Sequence, residues 1–338
     1  MLKVAAFTGG ENASPARFRV RQYIDLLRSY DIDMKEFAAP LSSWPPGKRW
    51  LRPAWGVATL ASRLPAITAS HFYDVTLLQQ SLVSTYVTLE GLTARPRILD
   101  VDDAIWAYTK RSEFVIRLAG LCDSIVCGNS FLADQFSKWN KNVVVIPTGV
   151  DTDYFCPSLK SSLDNCIIGW SGGSGGFDYL YEIESALKIV LDNNPRAILS
   201  IVADRKPDFK ILPPEQVVFT VWSPANEVQT IQAMDIGIMP IDDSICARGK
   251  CSFKMLLYMA CGKPVVVSPF GMNRDVLRHA AAGFAAKTIQ DWVDSVDCLI
   301  TNRSLRQEMG ALGRQVVVDE YSNAVSIEKL AAHFFQYR

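Results

Sequence analysis

Histidine is scarce: His71, His279 and His333 are dispersed over 338 residues. Three scattered imidazoles are too few for a metal site, so none is expected. None stands with a nucleophile in a Ser–His–Asp or Cys–His pattern either. The eight cysteines include no CxxC pair, so reduced thiols in a cytoplasmic protein are the expectation, and no signal peptide is read at the start. No run of about 20 apolar residues occurs, so no bilayer span is expected. Charge of one sign is not in excess, 35 basic residues balancing 35 acidic ones. Nothing in that balance argues for nucleic acid. The dinucleotide fingerprint GxGxxG is absent as well.

What is present is a globular profile, 49% apolar and 21% charged. Its length suits two domains of about 150 to 170 residues. The apolar run 2–7 leads into Thr8-Gly9-Gly10 and then a helical pattern over 16–30. Further strands are expected at 75–80, 97–101, 124–129 and 143–146. The pattern restarts at 166–173 with a strand and Gly loop, a helix to 193, and strands at 197–202, 217–220, 235–240 and 265–267. Strands alternating with helices imply parallel sheets covered on both faces. The polar linker runs 147–165, and the tail 322–338 reads as a helix with Ile327, Leu330, Ala331 and Phe334 on one face.

The most informative segment is Arg248-Gly249-Lys250-Cys251-Ser252-Phe253-Lys254, which runs into Met259-Ala260-Cys261-Gly262-Lys263-Pro264 and an apolar strand. It reads as a loop with three cations, a helix opening near Ser252, and a Gly-Lys-Pro stop. Cations beside the free amides of a helix start favour an anion such as a diphosphate. Lys250 and Lys254, four apart, would project from one side if helical. An ordinary surface loop before a core helix is the alternative.

This segment resembles the sugar-nucleotide motif of GT-B glycosyltransferases, specifically the retaining family-4 group (glycosyl transferases group 1). The resemblance extends in order through Val145-Ile146-Pro147-Thr148-Gly149-Val150-Asp151, through Ile168-Gly169-Trp170-Ser171-Gly172, and through the closing helices around 304–322. One departure stands out: two acids usual in the group fall at Gly249 and Leu257. Members with a Gly-Lys-x-Ser-x-Lys loop exist, and this chain looks like one of them. The resemblance implies two Rossmann-like doubly wound α/β domains facing a cleft: 1–150 on the acceptor side, 151–321 for the nucleotide sugar, and a helix 322–338 returning to the first domain.

The implied reaction moves a sugar from a nucleotide diphosphate sugar to a hydroxyl of a glycan or glycolipid, with retention and no cofactor beyond the donor. A non-catalytic sugar-nucleotide-binding or scaffold subunit is the alternative, and an epimerase on the same fold a third. Asp102 and Asp103, after a strand, would position a hydroxyl or act as base, unless they only cap a helix. Arg248 and Lys250 would stabilise the departing diphosphate. Gly9 and Gly10, Arg17 as the nearest of Arg17, Arg19 and Arg21, Ser171, Gly172, Gly173 and Lys254 would bind the donor. Trp222 would stack on the base, or sit in the core. The segment 48–64, basic and Trp-bearing at its front, would touch the inner face of a membrane or, the favoured reading, form an ordinary helix with a solvated basic face.

Overall fold

The computed structural model describes residues 1–11, 13–108, 113–158 and 165–338. Part of the expected linker, 159–164, lies outside the described residues. The chain forms two compact units: Met1–Gly149 with Arg248–Cys251 and Asn323–Arg338, and Val150–Ala247 with Ser252–Ser322.

The first unit holds a parallel sheet of β1 (Leu2–Thr8), β2 (Ile32–Ala38), β3 (Val75–Gln79), β4 (Arg97–Val101), β5 (Ser124–Cys127) and β6 (Val143–Val145), ordered β2-β1-β3-β4-β5-β6. β1, β3, β4 and β5 are buried almost throughout, which is why they read as continuous apolar runs. The order reverses between β1 and β3, so the loops after these strands part to leave a crevice at the carboxyl edge. β2, at the sheet edge, is IDMKEFA, and Ile32 and Met34 alone are buried.

The second unit holds β7 (Cys166–Ser171), β8 (Ala197–Ala203), β9 (Val217–Val221), β10 (Ile236–Met239), β11 (Val265–Val267) and β12 (Gly283–Ala285), ordered β12-β11-β10-β7-β8-β9 and all parallel. Its switch point lies between β7 and β10, beside the loop that starts at Ser171. The two halves are thus both doubly wound but not identical in strand order. The helix Asn323–Phe335 belongs to the first unit, where Ile327, Leu330, Ala331 and Phe334 share an apolar cluster with Val20, Tyr23 and Leu27. Among the described residues no helix is long and apolar enough to cross a membrane.

The expected solvated basic helix takes a different form. The helix Arg52–Ser70 has Arg63 inside, 2% exposed, with its guanidinium donating to the carbonyls of Thr8 at 2.7 Å and Phe37 at 3.1 Å. Its remaining cation, Arg52, stands at the first turn, so the long exposed face is not basic.

Candidate functional site

In the first unit, Gly10 has φ +131°, backbone that a residue with a Cβ rarely adopts. Arg21 holds this loop by donating to the Gly10 carbonyl at 2.8 Å, while pairing with Glu36 at 2.6 Å. Arg17 lies over the Phe18 ring, 4.5 Å from its centroid. Arg19 turns the other way. Residues two apart on a helix point roughly 200° apart, and Arg19 is buried against Asp100, donating also to Ile146 O at 2.8 Å. Burial would lower the Arg19 pKa, but the Asp100 charge and hydrogen bonds outweigh it and raise it.

Beyond β4, Asp102 accepts from Gln80 Nε2 at 2.8 Å, and Gln80 is held in the left-handed region at φ 61°. Burial, then the neighbouring Asp100 charge, push the Asp102 carboxyl up to about 6. Asp103 accepts from Ala104 N at 2.8 Å and from the Tyr108 hydroxyl, and stands 4.0 Å from Lys250 Nζ. Trp106 packs in an aromatic cluster with Phe131, Phe136 and Trp139.

The segment Arg248–Cys251 docks on this unit by its backbone. Asn129, the cap of the helix Ser130–Phe136, accepts from Leu132 N at 2.8 Å and donates to the carbonyls of Gly249 at 3.0 Å and Lys250 at 3.1 Å. Cys251 Sγ donates to Asp102 O at 3.1 Å. A Cβ on Gly249 would meet Ala104 N at 2.7 Å, and one on Gly128 would meet Cys251 Sγ at 2.3 Å. Both glycines are therefore needed for close approach. Lys250 and Lys254 do not share a helix face. The helix Ile245–Gly249 ends before Lys250, Ser252 has φ 50°, and the next helix is Phe253–Ala260. Ser252 does not cap that helix with its side chain, which donates instead to Asn273 Oδ1 at 2.7 Å.

In the second unit, Ser171, Gly172 and Gly173 leave β7 at the switch point. Ser171 N donates to the Tyr258 hydroxyl at 2.8 Å, and Gly172 N to Val202 O at 2.9 Å. Lys254 Nζ sits 4.3 Å from the Trp170 ring centroid, against Gly172, whose added Cβ would lie 2.4 Å from it. The carboxylate of Asp204 accepts from Ser174 N and Oγ at 2.6 and 2.8 Å, and these bonds lower its pKa. Trp222 follows β9 and is 37% exposed, not a core residue. Asn226 shapes its loop, accepting from Ser223 N and donating to Val221 O, each at 2.9 Å. Leu257, at one of the missing acidic positions, is buried.

The structure thus groups Gly9, Gly10, Arg17, Asp102, Asp103, Arg248 and Lys250 in one unit, and Ser171, Gly172, Gly173, Trp222 and Lys254 in the other. Chemically, the first group offers carboxylates and an ammonium for a hydroxyl-bearing ligand. The second offers glycine backbone and a cation at a switch point, suited to phosphate. Arg19 was weighed from the sequence but passed over for Arg17, and Gln80, Asn129 and Tyr258 were not read from it as site residues. For Asn129 a signal existed, because Asn directly before an apolar-periodic helix marks an N-cap. Among the described residues no group of three His, Cys, Asp or Glu could hold a metal ion.

Residues 174–302 match the family described as glycosyl transferases group 1. The whole chain shares its fold with Anabaena HepE in complex with UDP-glucose (TM-score 0.74, 14% identity, 100% of both chains covered). It is similarly matched by sucrose-phosphate synthase of Thermosynechococcus elongatus (TM-score 0.70, 14% identity, 99% of both chains). A glycosyltransferase of Rickettsia africae ESF-5 also matches (TM-score 0.65, 14% identity, 99% of this chain and 98% of that one). Curated proteins give no significant sequence match. Over residues 174–302 the chain is thus similar to the group 1 glycosyltransferases, and as a whole it has the GT-B fold of these structures.

Proposed function

We propose that the protein transfers a sugar from a nucleoside diphosphate sugar to a hydroxyl of a glycan or lipid-linked acceptor, with retention and without a bound metal. The observation that carries this reading is the setting of Lys254 within the family-matched region, its ammonium laid over Trp170 beside the glycine loop at the switch point. Ser171, Gly172 and Gly173 let phosphate oxygens approach the backbone, and Lys254 neutralises them. Trp222, exposed at the end of β9, is the surface on which a base would stack. Gly9, Gly10, Arg17, Asp102 and Asp103 form the acceptor side, where a carboxylate accepts a hydrogen bond from the reacting hydroxyl.

In the transfer the bond from the anomeric carbon to the phosphate oxygen breaks, and a bond from that carbon to the acceptor oxygen forms on the same face. The departing phosphate oxygen takes the acceptor's proton. Arg248 and Lys250 offset the charge building on the diphosphate. HepE was crystallised with UDP-glucose, which makes uridine diphosphate sugars the first donors to try. A second reading, a sugar-nucleotide-binding subunit without turnover, is favoured by Gly249 and Leu257 at the usual acidic positions.

The test is nucleotide release by the purified protein across a panel of nucleotide sugars. Release from one donor, accelerated by a glycan or lipid-linked acceptor, is the expected result. Binding of a nucleotide with no release under any acceptor would establish the second reading instead.

A further inference from the structure

The helix Arg52–Ser70 is inverted in polarity. A helix on a soluble domain normally turns its apolar stripe inward and its charged face to water. Here the buried positions are Thr59, Arg63, Ile67 and Ser70. The exposed positions include Ala54, Val57, Ala61 and Leu64, spaced at three to four residues, with Phe72 two residues beyond the helix end. Val57 is 72% exposed, Leu64 48% and Phe72 78%. Apolar residues scattered singly over a surface call for no explanation, but a row of them along about three helical turns does.

Charge completes the pattern. Between Glu36 and Asp74 the sequence has no acidic residue at all, although the whole chain is neutral. Lys48, Arg49 and Arg52 stand exposed where the chain enters this helix, with Trp44 and Trp50 exposed beside them. Arg63, the fourth cation, is committed to backbone carbonyls inside, where burial lowers its pKa to about 10.

We propose that this face, from Trp44 to Phe72, is a docking surface for an anionic lipid membrane. An apolar row flanked by cations and tryptophans matches a helix lying in the headgroup plane, with its side chains in the acyl boundary and its cations on lipid phosphates. A second copy fits less well. A two-fold contact would set the same cations against a face with no carboxylate to receive them. The proposal is independent of sugar transfer, and it would bring a membrane-bound acceptor to the protein.

The test is co-sedimentation of the full chain with phosphatidylcholine vesicles, with and without roughly one-third phosphatidylglycerol. The comparison variant is Val57→Glu with Leu64→Glu, two exposed positions, its melting temperature measured beside the parent's. The expected result is binding to the anionic vesicles, weakened by added salt and about tenfold weaker in the double variant. Absence of vesicle binding, or equal binding by the variant, overturns the proposal. A concentration-dependent dimer that the variant abolishes would overturn it in favour of a second copy. None of these readouts involves donor turnover, so failure here and failure of the transfer reading are distinguishable.

Discussion

Asn129 holds Lys250 by its backbone: the Asn129 amide donates to the Lys250 carbonyl at 3.1 Å while its own oxygen caps a helix through Leu132 N. One side chain thereby ties a helix start in the first 150 residues to a segment 120 residues further along. Asn129→Ala should cost about 1–3 kcal/mol, from a lost cap and unpaired carbonyls. Asn129→Asp keeps the cap but turns an acceptor toward the Gly249 and Lys250 carbonyls. It should lose more turnover than stability, as denaturant titration set against kcat/KM would read.

Lys250 itself is partly exposed, and its nearest carboxylate, on Asp103, is 4.0 Å away. Such a pair contributes under about 1 kcal/mol to stability. Lys250→Ala should leave the melting temperature almost unchanged while lowering donor turnover by about 10- to 100-fold. Undiminished turnover would remove Lys250 from the site.

Two adjacent glycines should respond differently to the same change. A methyl at Gly172 would fall 2.4 Å from Lys254 Nζ and 3.1 Å from the Trp170 ring, whereas nothing lies within 4 Å of one at Gly173. The Lys254 ammonium is the movable partner, so Gly172→Ala should fold yet displace it and weaken donor binding about tenfold. Gly173→Ala should bind nearly as the parent does. Nucleotide titration calorimetry on both variants checks this.

Asp102 gives a pH signature. Its folded carboxyl titrates at about 6, above the ordinary 3.8, so the folded chain holds that proton more tightly than the unfolded chain. Its ionisation therefore costs stability progressively as pH rises from about 4 to 6, with the full cost above that window. Asp102→Asn should be about 1–3 kcal/mol more stable than the parent near pH 7 and no different near pH 4. Paired denaturant melts across that range would show it.

Restoring an acid at position 249 should not help. A Cβ there meets Ala104 N at 2.7 Å and Ala104 Cβ at 2.5 Å, largely backbone that cannot swing aside. Gly249→Glu should destabilise the chain by about 1–3 kcal/mol and lower turnover. A gain in kcat would show that the segment moves freely.

Much of the fold was legible because the central strands are buried on both faces and read as unbroken apolar runs. β2 escaped that reading, since its Asp33, Lys35 and Glu36 interrupt the run at a sheet edge. β12, only three residues long, has no pattern to show. Within the site, sequence spacing favoured Arg17 for its nearness to the glycines, but a helix sends Arg17 and Arg19 to opposite sides, and Arg19 went inside to Asp100. Lys250 and Lys254 looked like helix neighbours because four residues separate them. The left-handed Ser252 between them breaks the helix, and no periodicity reports that. The inverted helix was hidden for a related reason: composition shows arginine at 63 but not that it points inward.

The first unit includes the helix Asn323–Phe335, whose Ile327 and Phe334 complete the cluster around Tyr23 and Leu27. A ribosome delivers the chain from its amino end, so the unit begun first is finished last. The second unit, bounded by Ser322, has all its residues while the first still waits for this helix. During that interval the apolar groove over Val20, Tyr23 and Leu27 stands uncovered. Chains released before residue 323 would keep it so, and would be the ones that chaperones and proteases collect.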